Sequence, residues 1–393
     1  MRIHLWRAAS LLTLVVLGGA IELQAQSSMF GTRAVGFPSR WLSARARGTA
    51  GAFGVFDPQS GINPAALSAA TRVMVNFVAT PGSRHWETPA GDATLKETRF
   101  PMVGLVGPIP KWPVWLGINF GSYADRDFRL FTSDTIQVQG PPVGPIDSAV
   151  VFDTLQSLGG MNEIRLALAY DKLRGTSLGG AFYLLTGSSR IDARRSFDDS
   201  AFAHIRQTAE LSFSGVGFAL GIVQEVTKNF RIAASVRSDG SAAVKQDSNE
   251  TASGHIDLPY TFAGGMEFTV NKKLTAAAQG VYRTWSGANS DLIKQGGIGS
   301  VNSLDLSLGA EYFTNLKRPA QFPIRVGVRY AKLPFPLNTD GSPEEFSLTG
   351  GTGLRFAKDR AGVDFSLERA WRKQSGGYKE QALLLSVGVT VQP

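Results

Sequence analysis

Between residues 72 and 391 the chain alternates apolar and polar side chains with a period of two, over stretches longer than the strands of ordinary soluble sheets. In the final stretch Leu383, Leu385, Val387, Val389 and Val391 fall on one face, and Leu384, Ser386, Gly388 and Thr390 on the other. Phe230, Ile232, Ala234 and Val236 oppose Arg231, Ala233, Ser235 and Arg237 in the same way. Ile164, Leu166, Leu168 and Tyr170 oppose Glu163, Arg165, Ala167 and Asp171. A soluble sandwich presses such apolar faces together, whereas an outer-membrane barrel turns them to lipid and encloses the polar ones. Length separates the two. Sandwich strands run about 5 or 6 residues, and a tilted membrane strand needs about 9 to 11.

The alternation marks strands at 72–80, 98–108, 112–123, 161–171, 176–187, 207–225, 228–238, 255–270, 272–285, 301–315, 321–332, 345–357, 360–370 and 380–391, an even fourteen. Their connections alternate in length. Short turns sit at 109–111, 172–175, 227–228, 271–272 and 358–359, with a medium one at 315–320. Long polar segments sit at 81–97, 124–160, 188–206, 239–254, 286–300, 333–344 and 371–379. Short turns on one side and long loops on the other are the pattern of bacterial barrels, with both chain ends periplasmic. The expected fold is therefore all-β, a single 14-stranded antiparallel transmembrane barrel. Leu211 and Phe213 start one phase that Val216, Phe218, Leu220 and Ile222 do not continue, which predicts a bulge near Ser214-Gly215. Aromatic residues near strand ends, among them Trp112, Trp115, Tyr123, Tyr282, Trp285 and Trp371, are expected in interfacial girdles.

Composition agrees with many strands and turns: 44 Gly, 24 Phe, 7 Trp and only 18% charged residues among 393. Zero Cys excludes a disulfide scaffold, a thiolate metal site, a Cys nucleophile and an acylated lipoprotein start. Arg2 and Arg7 precede an apolar run from Ala8 to Ile21, and Ala25 offers a small residue for cleavage, so 1–25 reads as a Sec-type signal peptide. That run is short of the roughly 20 residues of a spanning helix. No later stretch reaches helical span length, so a membrane crossing must use strands. The net charge of +8 is dispersed rather than gathered into a patch, which argues against a nucleic-acid partner.

Residues 26–71 lack the two-residue rhythm. Within them Arg47-Gly48-Thr49-Ala50-Gly51-Ala52-Phe53-Gly54 leads through Asp57-Pro58-Gln59-Ser60 to Asn63-Pro64-Ala65-Ala66-Leu67. This order and spacing resembles the N-terminal signature of FadL-type long-chain fatty-acid transporter barrels and their PorV-type relatives, with Ala66 where that family usually has Gly, and with Pro58 as a further departure. Ile324-Arg325-Val326-Gly327-Val328-Arg329-Tyr330 followed by Leu333-Pro334-Phe335-Pro336 is similar to a late strand and loop of the same family. The resemblance implies that 26–71 fold into the lumen as a plug or hatch and that 72–393 form the barrel around it. It also implies a lateral exit where an early strand is kinked, with Asn63, Pro64 and Ala65 close by. In this chain the kink is expected at Gly117 or Gly121, beside a broken hydrogen-bond ladder.

For the ligand, Phe30, Phe37, Trp41 and Leu42 could line an apolar pocket or merely pack the plug, and Arg33, Arg45 or Arg47 could hold a carboxylate. Lumenal Arg165, Arg231, Arg283, Arg325, Arg329 and Arg355 accompany Glu163, Glu267, Asp305, Glu311, Asp364 and Glu368, which predicts ion-pair ladders rather than a filter. Catalysis has little support. Gly175-Thr176-Ser177-Leu178-Gly179 matches a nucleophile elbow only formally, because it enters a strand. His85, His204 and His255 offer no pair at metal-ligand spacing, and loop Asp125, Asp127, Asp198 and Asp199 suit solvation. No enzyme activity, cofactor or metal is expected. The expected function is passive transport of hydrophobic small molecules such as long-chain fatty acids across the bacterial outer membrane, with membrane lipid and the ligand as partners. The alternative is a PorV-like docking or shuttle component for a protein secretion system.

Overall fold

The computed structural model describes residues 28–392 apart from 90, 140–145, 174, 200–201, 247–252, 295–296 and 318–320, so the expected signal peptide lies outside the described residues. The strands are β1 (Phe37–Pro38), β2 (Met74–Thr88), β3 (Gly91–Pro108), β4 (Val114–Asp125), β5 (Phe128–Gln139), β6 (Ile146–Leu173), β7 (Thr176–Phe197), β8 (Ile205–Thr227) and β9 (Phe230–Ser238). They continue with β10 (Ser241–Gln246), β11 (Ser253–Asp257), β12 (Tyr260–Asn271), β13 (Leu274–Arg283), β14 (Ser303–Tyr312), β15 (Ile324–Lys332), β16 (Glu344–Phe356), β17 (Ala361–Gln374) and β18 (Tyr378–Val391).

Fourteen of these, β2–β4, β6–β9 and β12–β18, pair antiparallel in sequence order, and β18 pairs with β2, which closes the ring. They correspond one for one to the fourteen expected strands. Outward positions are apolar and open: Phe218 is 61% exposed, Leu220 66% and Leu308 59%. The alternate positions carry Glu163, Arg165, Glu311 and Arg325, each at most 2% exposed. This is the reverse of a soluble protein, and it is stable only where hydrocarbon touches the outer face. The fold is thus an outer-membrane-type barrel.

Three expected loops are largely strand. Segments 81–97, 124–160 and 188–206 contain the upper parts of β2, β3, β6 and β7, the whole of β5 and the start of β8. β6 alone has 28 residues, about 90 Å of chain, three times the hydrocarbon thickness. The expected bulge at Ser214-Gly215 is also absent, because the β7–β8 register runs unshifted through Thr186↔Ser214 and Leu185↔Gly215. The apolar phase changes there for another reason. Phe213 points inward into an apolar cluster at the long-loop end, while Val216 and Phe218 point outward to lipid. Trp285 and Tyr123 belong to that same inner cluster rather than to a girdle, whereas Trp112, Tyr282 and Trp371 do face out.

Residues 28–70 are mostly buried and touch inward-facing groups all round the ring. Met29 N donates to Glu380 on β18 at 2.8 Å, Val55 N to Gln279 on β13 at 2.7 Å, and Asn63 Nδ2 to the Ile222 carbonyl on β8 at 3.1 Å. Thr349 Oγ1 on β16 donates to the Gly48 carbonyl at 3.0 Å, and Trp115 Nε1 on β4 to that of Ala70 at 2.8 Å. Within the segment, Ser43 caps helix α1 (Ala44–Arg47) and donates to Asp57 at 2.6 Å. Asn63 caps a 3-10 turn over Pro64–Ala69, with proline at the first helical position where its missing N–H costs nothing.

Candidate functional site

The lumenal charges form a connected web. Arg325 bridges Glu311 at 2.7 Å and Asp364 at 2.8 Å, and Arg329 holds Asp305 at 2.7 Å and also Glu345. Arg372 joins Glu345 to Glu380, and Arg84 joins Glu380 to Glu97. Arg231 pairs with Glu267, and Arg355 with Asp364. The expected ladders therefore exist, with Glu163 paired to Arg237 and Glu368 to Arg40 of the N-terminal segment. Enclosed charges need such partners. Arg165 and Arg283 depart from the pattern: neither has a carboxylate within 4.0 Å among the described residues.

Inside this web lies a small cavity of about 90 Å³, lined among others by Phe37, Arg47, Arg99, Arg283, Arg329 and Leu333. Arg47 is 7% exposed, and its Nε donates to the Leu42 carbonyl at 3.1 Å. It too lacks a carboxylate within 4.0 Å among the described residues. Burial, reinforced by Arg40 nearby, pushes its pKa down to about 10. Two unpaired guanidiniums, Arg47 and Arg283, thus face one cavity. That space suits a carboxylate head group, and it is well below the ~300–1,000 Å³ of a complete small-molecule pocket.

The other expected ligand residues are scattered. Phe30, 1% exposed, joins Met29, Trp86 and Leu333 above the cavity, and Phe37 packs beside this group. Trp41 packs against Val78 and Met102 of the wall, with φ at 49°, a strained value for so large a residue. Leu42 packs inside the segment against Gly51 and Gly54. Arg45 is tied to Glu311 at 2.6 Å, and exposed Arg33 donates to the Leu337 carbonyl at 3.2 Å. Of the seven, only Phe37 and Arg47 meet at the cavity. The sequence marks Arg283 as a wall arginine, but its lack of a carboxylate partner is a matter of tertiary placement.

The ladder breaks at Gly121, one of the two expected positions, but away from the residues expected beside it. Asn63, Pro64 and Ala65 do not lie beside Gly117 or Gly121; they press on β7 and β8, where a methyl group on Gly179 or Gly221 would collide with them. Leu67 covers Gly117 instead, and the ladder there is continuous on both sides, Val106↔Gly117↔Ala167. At Gly121 the β3–β4 ladder stops, although both strands continue. Above that point Ala124 and Asp125 of β4 pair with Pro38 and Phe37 of β1. Pro81 and Pro101, without N–H groups, weaken the neighbouring ladders, and β3 shifts register against β2 between Val78 and Thr80. Arg99 spans the opening from β3, bonding to Glu97 and Asp125, with Asp127 3.8 Å away.

No family model matches this sequence, and no curated protein does. Solved structures do. A FadL homologue of Pseudomonas aeruginosa superposes with a TM-score of 0.62 at 13% identity, covering 91% of this chain and 99% of its own. The fold is that of FadL-type barrels. The Pseudomonas putida toluene transporter TodX follows at 0.58 and 13%, covering 92% of this chain and 100% of its own. The Ralstonia pickettii toluene transporter TbuX gives 0.56 and 14%, covering 90% and 98%. At these identities the likeness is one of fold. Ser177, in the formal elbow motif, lies within β7 opposite Val223, so in this FadL-type wall it occupies no strand-to-helix turn.

Proposed function

We propose that this barrel carries hydrophobic small molecules passively across the outer membrane, with residues 28–70 as the hatch and the β3–β4 opening as the lateral exit. One observation carries the reading: Phe37–Pro38 of the N-terminal segment pair with β4 at the place where β3 leaves it, so one movement would open both the lumen and the wall. That fold relatives are a toluene transporter and a monoaromatic hydrocarbon channel supports the cargo class. The finer assignment is a chain with a carboxylate head, such as a long-chain fatty acid. Its head would meet Arg47 and Arg283, and its tail would follow Phe37 and Leu333. The start of β2 and the end of β18 lie on the periplasmic side in this reading, because the short turns do; the expected periplasmic N-terminus is not kept, since Ser28 and Met29 bond to Glu380 near the long-loop end of β18.

The absence of native cysteine allows a direct test. Pro38 and Ala124 stand opposite one another, so Pro38→Cys with Ala124→Cys can tie hatch to wall. Uptake of labelled fatty acid or toluene by cells should stop on oxidation and return on reduction. Unchanged uptake in a chain shown to be cross-linked would rule out this gate.

A second reading, a PorV-like docking or shuttle barrel, is favoured by the burial of residues 28–70 within the ring and by the tall sheet of β5–β8 beyond the spanning strands. It predicts a stoichiometric secreted partner on purification and no uptake phenotype.

A further inference from the structure

We infer that the long-loop rim carries a site for one divalent transition-metal ion, formed by His255, Asp257 and Asp291. One ligating atom from each of these residues lies within 4.8 Å of the other two. They come from separate connections. His255 and Asp257 are two apart on β11 and so share a face, and Asp291 belongs to the short helix α2 (Asn289–Lys294).

What makes the group a site rather than a chance meeting of loop side chains is the anchoring beneath it. Ile256, between the two β11 ligands, is 5% exposed, and Leu258 just beyond them is 6% exposed. Leu292, next to Asp291, is 7% exposed, and all three residues enter the same apolar cluster as Trp285 and Phe335. Each ligand is therefore one residue from a fixed point, and the amide of Asp257 donates to Asp291 Oδ2 at 3.3 Å. Two carboxylates held this close repel unless a cation lies between them. Lys294, at 4.0 Å from Asp291, is 77% exposed and offers only weak compensation.

The donor set selects the ion. One imidazole nitrogen with two carboxylates suits zinc and its first-row neighbours, whereas calcium and magnesium take oxygen alone. Bonds of about 2.0–2.2 Å would draw the three atoms in to roughly 3.5 Å, a change that side-chain rotation supplies. Solvent would fill the remaining positions. The ion would join the β9–β12 connection to the β13–β14 connection, the two pieces whose Ile256, Leu258, Trp285 and Leu292 roof the barrel mouth. The site stands independently of the cargo.

The test is calorimetric titration of tag-free mature protein in detergent with zinc chloride. One saturable ion per chain is expected. His255→Ala and Asp291→Asn should each weaken binding by more than about tenfold, the least that even an outer-shell partner contributes. His85→Ala and His204→Ala should bind like the parent. Heat-shifted mobility in gels confirms that each variant is still a closed barrel. Hydrogen exchange over residues 285–294 should slow with zinc in the parent and not in His255→Ala. No saturable binding, binding that survives His255→Ala, or equal loss in the His85 and His204 variants would overturn the site.

Discussion

Arg47 shows what a single buried charge can do. Most arginines of the lumen are neutralised by a carboxylate on the next strand, but Arg47 faces a cavity with only a carbonyl on its Nε. If the cargo carries a carboxylate, Arg47→Leu should cost its binding about 1.5–3 kcal/mol, or roughly tenfold to a hundredfold, and leave toluene uptake unchanged. The pH dependence follows from the depressed pKa. The cation is present below about 10 and lost as pH rises through it, while the cargo's carboxylate forms only above roughly 4 to 5. Affinity should therefore be flat between those limits and fall at both ends, measurable by fatty-acid binding to the detergent-solubilised protein. Arg47 was legible in the sequence because it opens the Gly/Ala-rich signature. The pairing of Arg45 with Glu311, which removes Arg45 from the same role, depends on a contact across 266 residues that no local pattern encodes.

At the scale of the strand, alternation revealed every stave but misjudged where staves end. In the membrane-spanning part of β6, Leu166 and Leu168 point outward, with Glu163 and Arg165 inward. Beyond Gly159 that division ends on β6: Val151 shares its phase with Asp153 and Ser157, Leu155 is 37% exposed, and the other phase mixes Thr154 and Gln156 with Leu158. β7 and β8 go further and invert, with Ala193 and Phe213 inside and Asp192 and Arg194 outside. Polar residues on the outward face made these stretches look like loops. They are strands whose surrounding medium has changed from lipid to water, and the inversion itself marks the edge of the hydrocarbon. The consequence is measurable. Leu166→Arg should cost about 2–4 kcal/mol of folding stability in lipid, the price of a guanidinium near mid-membrane. Leu155→Arg, 11 residues earlier on the same strand, should fall within about 1 kcal/mol. Equal losses in a urea titration of barrels refolded in liposomes would refute the assigned boundary.

For the whole molecule the question is whether wall and N-terminal segment are one cooperative body or a frame and an insert. The wall is complete without residues 28–70: its fourteen pairings close through β18–β2. Its main ion pairs, Arg325 with Glu311 and Asp364, Arg329 with Asp305, and Arg372 with Glu345 and Glu380, join strand to strand. Removing the segment strips Arg40 from Glu368, Arg45 from Glu311 and Met29 from Glu380, but water entering a lumen this wide can solvate the groups left behind. Deletion of 28–70 should therefore leave a folded barrel. The intact chain, with only about 90 Å³ free in the lumenal cavity beside Arg47, should pass almost no ionic current in a planar bilayer. The deleted chain should show large, steady openings, because a polar lumen without its insert is an aqueous pore. Unfolding of the deletion variant would mean that the segment is part of the frame. In that case hatch motion would have to be local, confined to the Phe37–Pro38 contact with β4 rather than a withdrawal of the whole segment.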